Sequence, residues 1–175
     1  MEALIVVDVQ NDFTPGGALA VTDGDQIIEA VNRLARQAPL VIATRDWHPP
    51  DHRSFAERGG IWPVHCVRDT PGAQLHPDLG ARFDAIIDKG RAPDQEGYSG
   101  FEDTPLEQLL RERGVDTVHI VGLALDYCVK ATALAARAAG FDVVVHREAT
   151  RAVEVAPGDG DRALEELRAA GVEVV

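Results

Sequence analysis

A chain of 175 residues is long enough for one well-filled core and short for two domains of ordinary size. Its formal net charge of -12 argues against nucleic acid and anionic lipid as partners, because binding polyanions demands a concentrated basic surface. No apolar run approaches the roughly 18 residues needed to cross a bilayer. The start Met1-Glu2-Ala3-Leu4 has no basic leader, and two cysteines, Cys66 and Cys128, make no disulfide framework, so a cytoplasmic location is expected.

In chain order, Ala3 to Asp8 is the first apolar, β-branched run and reads as a buried strand. The amphipathic stretch Asp25 to Arg36 follows as a helix, then a strand over Leu40 to Thr44. A long irregular region, Arg45 to Gly80, leads to a strand over Asp84 to Asp88. A second irregular region, Gly90 to Asp103, precedes a helix over Pro105 to Arg113, closed by Gly114. The pattern then repeats: strand Thr117 to Gly122, helix Cys128 to Ala139 ending at Gly140, strand Asp142 to His146, helix Arg162 to Ala170 ending at Gly171, and strand Val172 to Val175. Strands alternating with helices imply parallel pairing through right-handed crossovers. The expected architecture is a single-domain, three-layer α/β/α sandwich over residues 1-175, with a mostly parallel six-stranded sheet. The two irregular regions exceed ordinary connections and are read as binding loops.

Ligands of such sheets bind outside the carboxyl ends of the strands, and reactive residues recur there. Asp8 ends the first strand. Asp46, His48 and His52 follow the second, with His65 further along the same loop. Lys89 ends the third, and Cys128 follows the fourth. Taken alone, Asp-x-His after a strand is read first as a turn on a wet surface; delivery of reactive side chains by four strands to one edge changes that reading. Asp46 and His48, two apart on an extended chain stiffened by Pro49 and Pro50, can point toward one cation, and His65 offers a third donor. Cys128 opens a helical run, where unpaired N–H groups and a nearby Lys89 or Lys130 favour thiolate. Asp8 suits a general base. Only Lys89 and Lys130 are lysines, and Lys130, one turn into its helix, is read as facing solvent.

The segments Asp8-Val9-Gln10-Asn11-Asp12-Phe13, Asp46-Trp47-His48-Pro49, Trp62-Pro63-Val64-His65-Cys66, Lys89-Gly90 and Gly122-Leu123-Ala124-Leu125-Asp126-Tyr127-Cys128-Val129 occur in this order along the chain. Together they resemble the nicotinamidase/pyrazinamidase family of the isochorismatase-like cysteine hydrolases. The resemblance implies an Asp8, Lys89, Cys128 triad that hydrolyses nicotinamide to nicotinate and ammonia through a thioester, with pyrazinamide as a second substrate. It also implies a cis peptide between Leu123 and Ala124, with an oxyanion hole from the N–H groups of Ala124 and Cys128. One divalent metal would be held by Asp46, His48 and His65; zinc stands first, and iron and manganese also accept mixed oxygen and nitrogen donors. Phe13, Trp62 and Tyr98 match the pocket walls. Some relatives recruit another histidine of this loop to the metal, so His52 is left open between a further ligand, a role behind the ligands and a surface role, and Tyr127 replaces a histidine found beside the nucleophile in some relatives. His76, His119 and His146 match nothing catalytic. A homo-oligomer is left open. The competing readings are a related hydrolase of another carboxamide or ureido substrate, and a metal-binding or thiol-sensing module without catalysis.

Overall fold

A computed structural model describes residues 1–175. Six strands, β1 (Glu2–Val7), β2 (Val41–Asp46), β3 (Ala85–Lys89), β4 (Thr117–Leu123), β5 (Asp142–Arg151) and β6 (Glu173–Val174), form one sheet in the order β3-β2-β1-β4-β5-β6. Every pairing is parallel, so the expectation of a mostly parallel sheet is met without an antiparallel edge. Strand order reverses between β1 and β4, and a crevice opens at such a switch point beyond the strand ends.

The strands read as apolar runs because both faces are covered. Ile5, Val7, Ile42, Val118, Ile120, Val143 and Val145 point into a core shared with α2 (Leu106–Glu112), α3 (Lys130–Ala138) and α4 (Asp159–Ala169). Leu4, Val6, Val41, Val121 and Leu123 face the other way, onto α1 (Ile28–Ala35) and the loop residues Val9, Phe13, Cys66 and Ala73. No helix is long and apolar enough to cross a membrane.

Several element bounds shift by a few residues from the sequence reading, and two departures bear on the site. β5 continues past His146 to Arg151, because after an irregularity its polar second half pairs Thr150 with Gly122 and Arg151 with Leu123. The helix carrying Cys128 begins with a π turn, Leu125–Val129, in which the N–H groups of Tyr127 and Val129 both donate to Ala124 O at 3.1 Å. Such turns concentrate at functional sites.

Gly122 occupies the closest approach of β1 and β4. Its φ of +115° and a Cβ position only 2.0 Å from Val7 O leave no room for a side chain. Gly122→Ala is expected to cost about 3 kcal/mol, lowering the melting temperature by roughly 6–12 °C. An unchanged thermal midpoint would show that the β1–β4 contact yields.

Candidate active site

Asp8 and Lys89 stand at the ends of β1 and β3, and both are buried, at 0% and 1% exposure. Asp8 departs from helix and strand backbone, with φ +48°, which turns its carboxylate across the strand ends. Thr44 Oγ1 donates to Asp8 Oδ1 at 2.7 Å. The Lys89 ammonium donates to Asp46 Oδ1 at 2.5 Å, to Gly97 O at 2.7 Å and to Cys128 Sγ at 3.4 Å. It also lies 2.8 Å from Asp8 Oδ2, but as a charge contact without hydrogen-bond geometry. The buried ammonium thus pairs with both carboxylates at once, and Asp8 Oδ2 has no partner other than this ion pair. A carboxylate oxygen of Asp8, one of Asp46 and the Cys128 sulfur lie within 4.8 Å of one another.

The charges follow from this packing. Burial alone would lower the Lys89 ammonium, yet Asp46 and then Asp8 outweigh it and hold it charged, well above the usual lysine range. Burial pushes the Asp8 carboxyl up, against the opposing pull of Lys89. Burial also raises Asp46, but there Lys89, followed by His48, wins and keeps the group ionised. For Cys128 the expected thiolate is not what the surroundings favour. Burial raises the thiol well above the ordinary cysteine range; Lys89 opposes this, while Asp8 and Asp46 add to it. The helix terminus identified from sequence is real, but two neighbouring carboxylates and complete burial override it. Lys130 plays no part, since it pairs with Glu166 at 2.9 Å.

Asp46, at the end of β2, and His48 and His65, on the following loop, converge as predicted, with one donor atom of each within 4.8 Å of the others. His48 Nε2 is 3.4 Å and His65 Nε2 3.9 Å from Asp46 Oδ2. Each ring turns its Nδ1 to a backbone carbonyl, Gly90 O for His48 and Pro63 O for His65, both at 2.8 Å. Nδ1 therefore carries a hydrogen on each ring, and both Nε2 atoms are turned toward the Asp46 carboxylate. One carboxylate and two imidazole nitrogens meet at one point, a donor set that suits a divalent cation. His52 does not join this set. It is fully buried with its ring stacked on that of His48, 3.9 Å between centroids, so it backs a ligand and is not a surface residue. Burial, and then the neighbouring His48, lower its pKa to about 4.

Beside the thiol lies a narrow, mostly apolar pocket lined by Phe13, Trp62 and Tyr98, and also by Leu19, Ala124, Tyr127 and Val153. Trp62 Nε1 donates to Tyr98 Oη at 2.9 Å, and the Trp62 and Tyr127 rings meet edge to face at 4.8 Å. Leu19 and Val153 left no sequence signal, since one apolar loop residue looks like another. The Leu123–Ala124 peptide is cis. A groove near the amino ends of the central strands β1 and β4 holds none of these groups; His119 and His146 bond to each other there at 2.9 Å. His76 Nδ1 accepts from Asp78 N.

Residues 2–175 match the isochorismatase domain family. The chain belongs to the isochorismatase family. Among its relatives within that family, the nicotinamidase/pyrazinamidase of Mycobacterium tuberculosis is 43% identical, covering 100% of this chain and 98% of its own. Two solved structures superpose closely on this isochorismatase-family chain. The pyrazinamidase of Pyrococcus horikoshii in complex with zinc is 50% identical with a TM-score of 0.91, covering 99% of this chain and 98% of the other. PnC1 from L. infantum in complex with nicotinate is 40% identical with a TM-score of 0.95, covering 100% and 92%.

Proposed function

We propose that this isochorismatase-family chain, residues 1-175 acting as one hydrolase domain in the cytoplasm, is a nicotinamidase. It hydrolyses nicotinamide to nicotinate and ammonia, and the ring analogue pyrazinamide to its acid. The observation that carries this reading is the buried Asp8 carboxylate held beside the Cys128 thiol and paired with Lys89 at 2.8 Å, next to an aromatic-lined pocket. Relatives named nicotinamidase over nearly the whole chain support the substrate.

A neutral thiol beside an acceptor oxygen calls for proton transfer during attack. Asp8 takes the Cys128 proton on Oδ2 as Sγ bonds to the carboxamide carbon, and the carbonyl oxygen gains the electron pair. The N–H groups of Ala124 and Cys128 receive that oxyanion. Asp8 returns the proton to the amide nitrogen, the C–N bond breaks, and ammonia leaves a thioester. Water then adds to the thioester carbon with Asp8 accepting its proton; collapse breaks the C–S bond, releases the acid and restores the thiol. Lys89 keeps its charge throughout and balances Asp8 whenever that group is ionised. Phe13, Trp62 and Tyr98 sandwich the flat ring. Asp46, His48 and His65 would hold a divalent cation, which would supply a fixed Lewis-acid charge beside the pocket; zinc stands first on the zinc-bound relative, with iron and manganese compatible with the same donors.

Purified protein loaded with zinc is expected to release ammonia from nicotinamide. Prolonged chelation should lower that rate by about tenfold or more, with recovery on adding zinc back. Metal-loaded protein that releases no ammonia from nicotinamide but does so from a ureido compound would move the assignment to another branch of the family.

A further inference from the structure

The three cation-facing donors sit on two segments, 46–48 and 65–68, that are joined to each other. His48 N donates to Cys66 O at 3.0 Å, and Arg68 N donates to His48 O at 2.9 Å. Neither segment is held in place by a helix. Both are instead gripped from the turn after β1.

Gln10 is fully buried and its side-chain amide is used on both sides. Its Oε1 accepts from Asp46 N at 2.8 Å, and its Nε2 donates to Asp46 O at 2.9 Å and to Ala73 O at 2.8 Å. The side chain therefore pairs with the peptide groups of residue 46 as a neighbouring strand would, just where β2 ends. Asp12 does the corresponding work on the second segment. Its Oδ2 accepts from Cys66 N at 2.7 Å, next in sequence to His65, and its Oδ1 accepts from Ala18 N at 3.2 Å. Cys66 has φ +45°, a left-handed backbone that a non-glycine residue adopts at a cost unless it is held. The Asp12 carboxylate is itself seated against Gly72, where a Cβ would lie 2.3 Å from Oδ2. One turn thus presents, at alternate positions, Asp8 to the thiol, Gln10 to the Asp46 segment and Asp12 to the His65 segment.

We infer that Gln10 and Asp12 are positioning residues of the cation site, fixing the separation of Asp46 from His48 and His65 through the backbone and not by contact with the ion. The inference rests on the metal-dependent reading above. Groups that orient metal ligands typically contribute 10–100-fold in affinity, and here one turn grips both ligand-bearing segments, in addition to the β2–β3 pairing of Asp46 and the bonds that join the segments to each other.

The test is zinc affinity, measured by competition with a chromophoric chelator, alongside the melting temperature of the zinc-free protein. Gln10→Met, which keeps length but cannot bond the peptide, and Asp12→Ala are each expected to weaken zinc binding by about 10–100-fold. Asp12→Asn, which retains an acceptor for Cys66 N, should recover most of that loss. Val31→Ala, a cavity in the buried face of α1, should lower the melting temperature while leaving zinc affinity unchanged. Wild-type affinity in Gln10→Met and Asp12→Ala, or an equal loss in Val31→Ala, overturns the inference. If Gln10→Met does not fold, the Asp12→Ala and Asp12→Asn pair decides. A wild type that binds no zinc, iron or manganese overturns the metal reading and this inference with it, whereas wild-type zinc binding without ammonia release sinks only the substrate.

Discussion

Cys128→Ala is expected to reduce ammonia release from nicotinamide by on the order of 10⁴-fold or more, the scale at which removing a nucleophile collapses a catalytic unit. The fold should tolerate the change. Alanine fits where the cysteine packs among Val129, Leu125 and the sheet, and the thiol makes one long contact with Lys89, which keeps its bonds to Asp46 and Gly97. A loss of about 1 kcal/mol or less in stability is expected for this small truncation. Zinc content should be unaltered, because Asp46, His48 and His65 are untouched. Steady-state ammonia assays beside elemental analysis check both halves. Turnover within tenfold of the parent would remove Cys128 from the chemistry and return the chain to a thiol-sensing or storage reading.

Lys89→Met is expected to damage stability as well as activity. One buried ammonium here serves two buried carboxylates, Asp8 and Asp46, at 2.8 and 2.5 Å. Removing the positive partner leaves two like charges facing each other out of water, a change that typically costs about 3–5 kcal/mol. The sign of its pH dependence follows. With Lys89 present, Asp46 is ionised well below the ordinary carboxylate range, while burial already raises Asp8. Without it, Asp8 rises further above its unfolded value and Asp46 loses the largest influence that lowers it. A group raised in this way stabilises the fold below its unfolded pKa and loses that contribution as pH climbs through the folded value. The deficit of the variant should therefore be greatest at neutral pH and shrink on acidification toward the carboxylate range. Denaturant midpoints measured on zinc-free protein across that interval test this; a deficit that is constant with pH would mean that Lys89 acts through packing alone.

Much of this arrangement was legible before any coordinates. Buried parallel strands must be apolar on both faces, so β1, β2 and β4 announced themselves as β-branched runs, and a polar residue ending such a run stands out. That is why Asp8, Lys89 and the Asp46 loop were visible. The second half of β5 was not, because Arg147 to Arg151 is polar and becomes a strand through its pairing with Gly122 and Leu123. The π turn before α3 has no compositional mark. The state of the thiol was misjudged because a helix terminus is a local property, readable from sequence, whereas the carboxylates that oppose it arrive from β1 and β2. Gln10 and Asp12 stood inside a recognised motif, but their bonds run to peptide groups, which have no residue identity to read.

The bond from Trp62 to Tyr98 spans the two long loops and roofs the cavity over Cys128. Cys128 is 6% exposed and burial raises its thiol, so peroxide and soft electrophiles meet little of the anionic form with which they react. On the proposed reading, durability and reactivity are separated in time: the thiol resists attack in the empty enzyme and is called on only when a guest is lodged beside it.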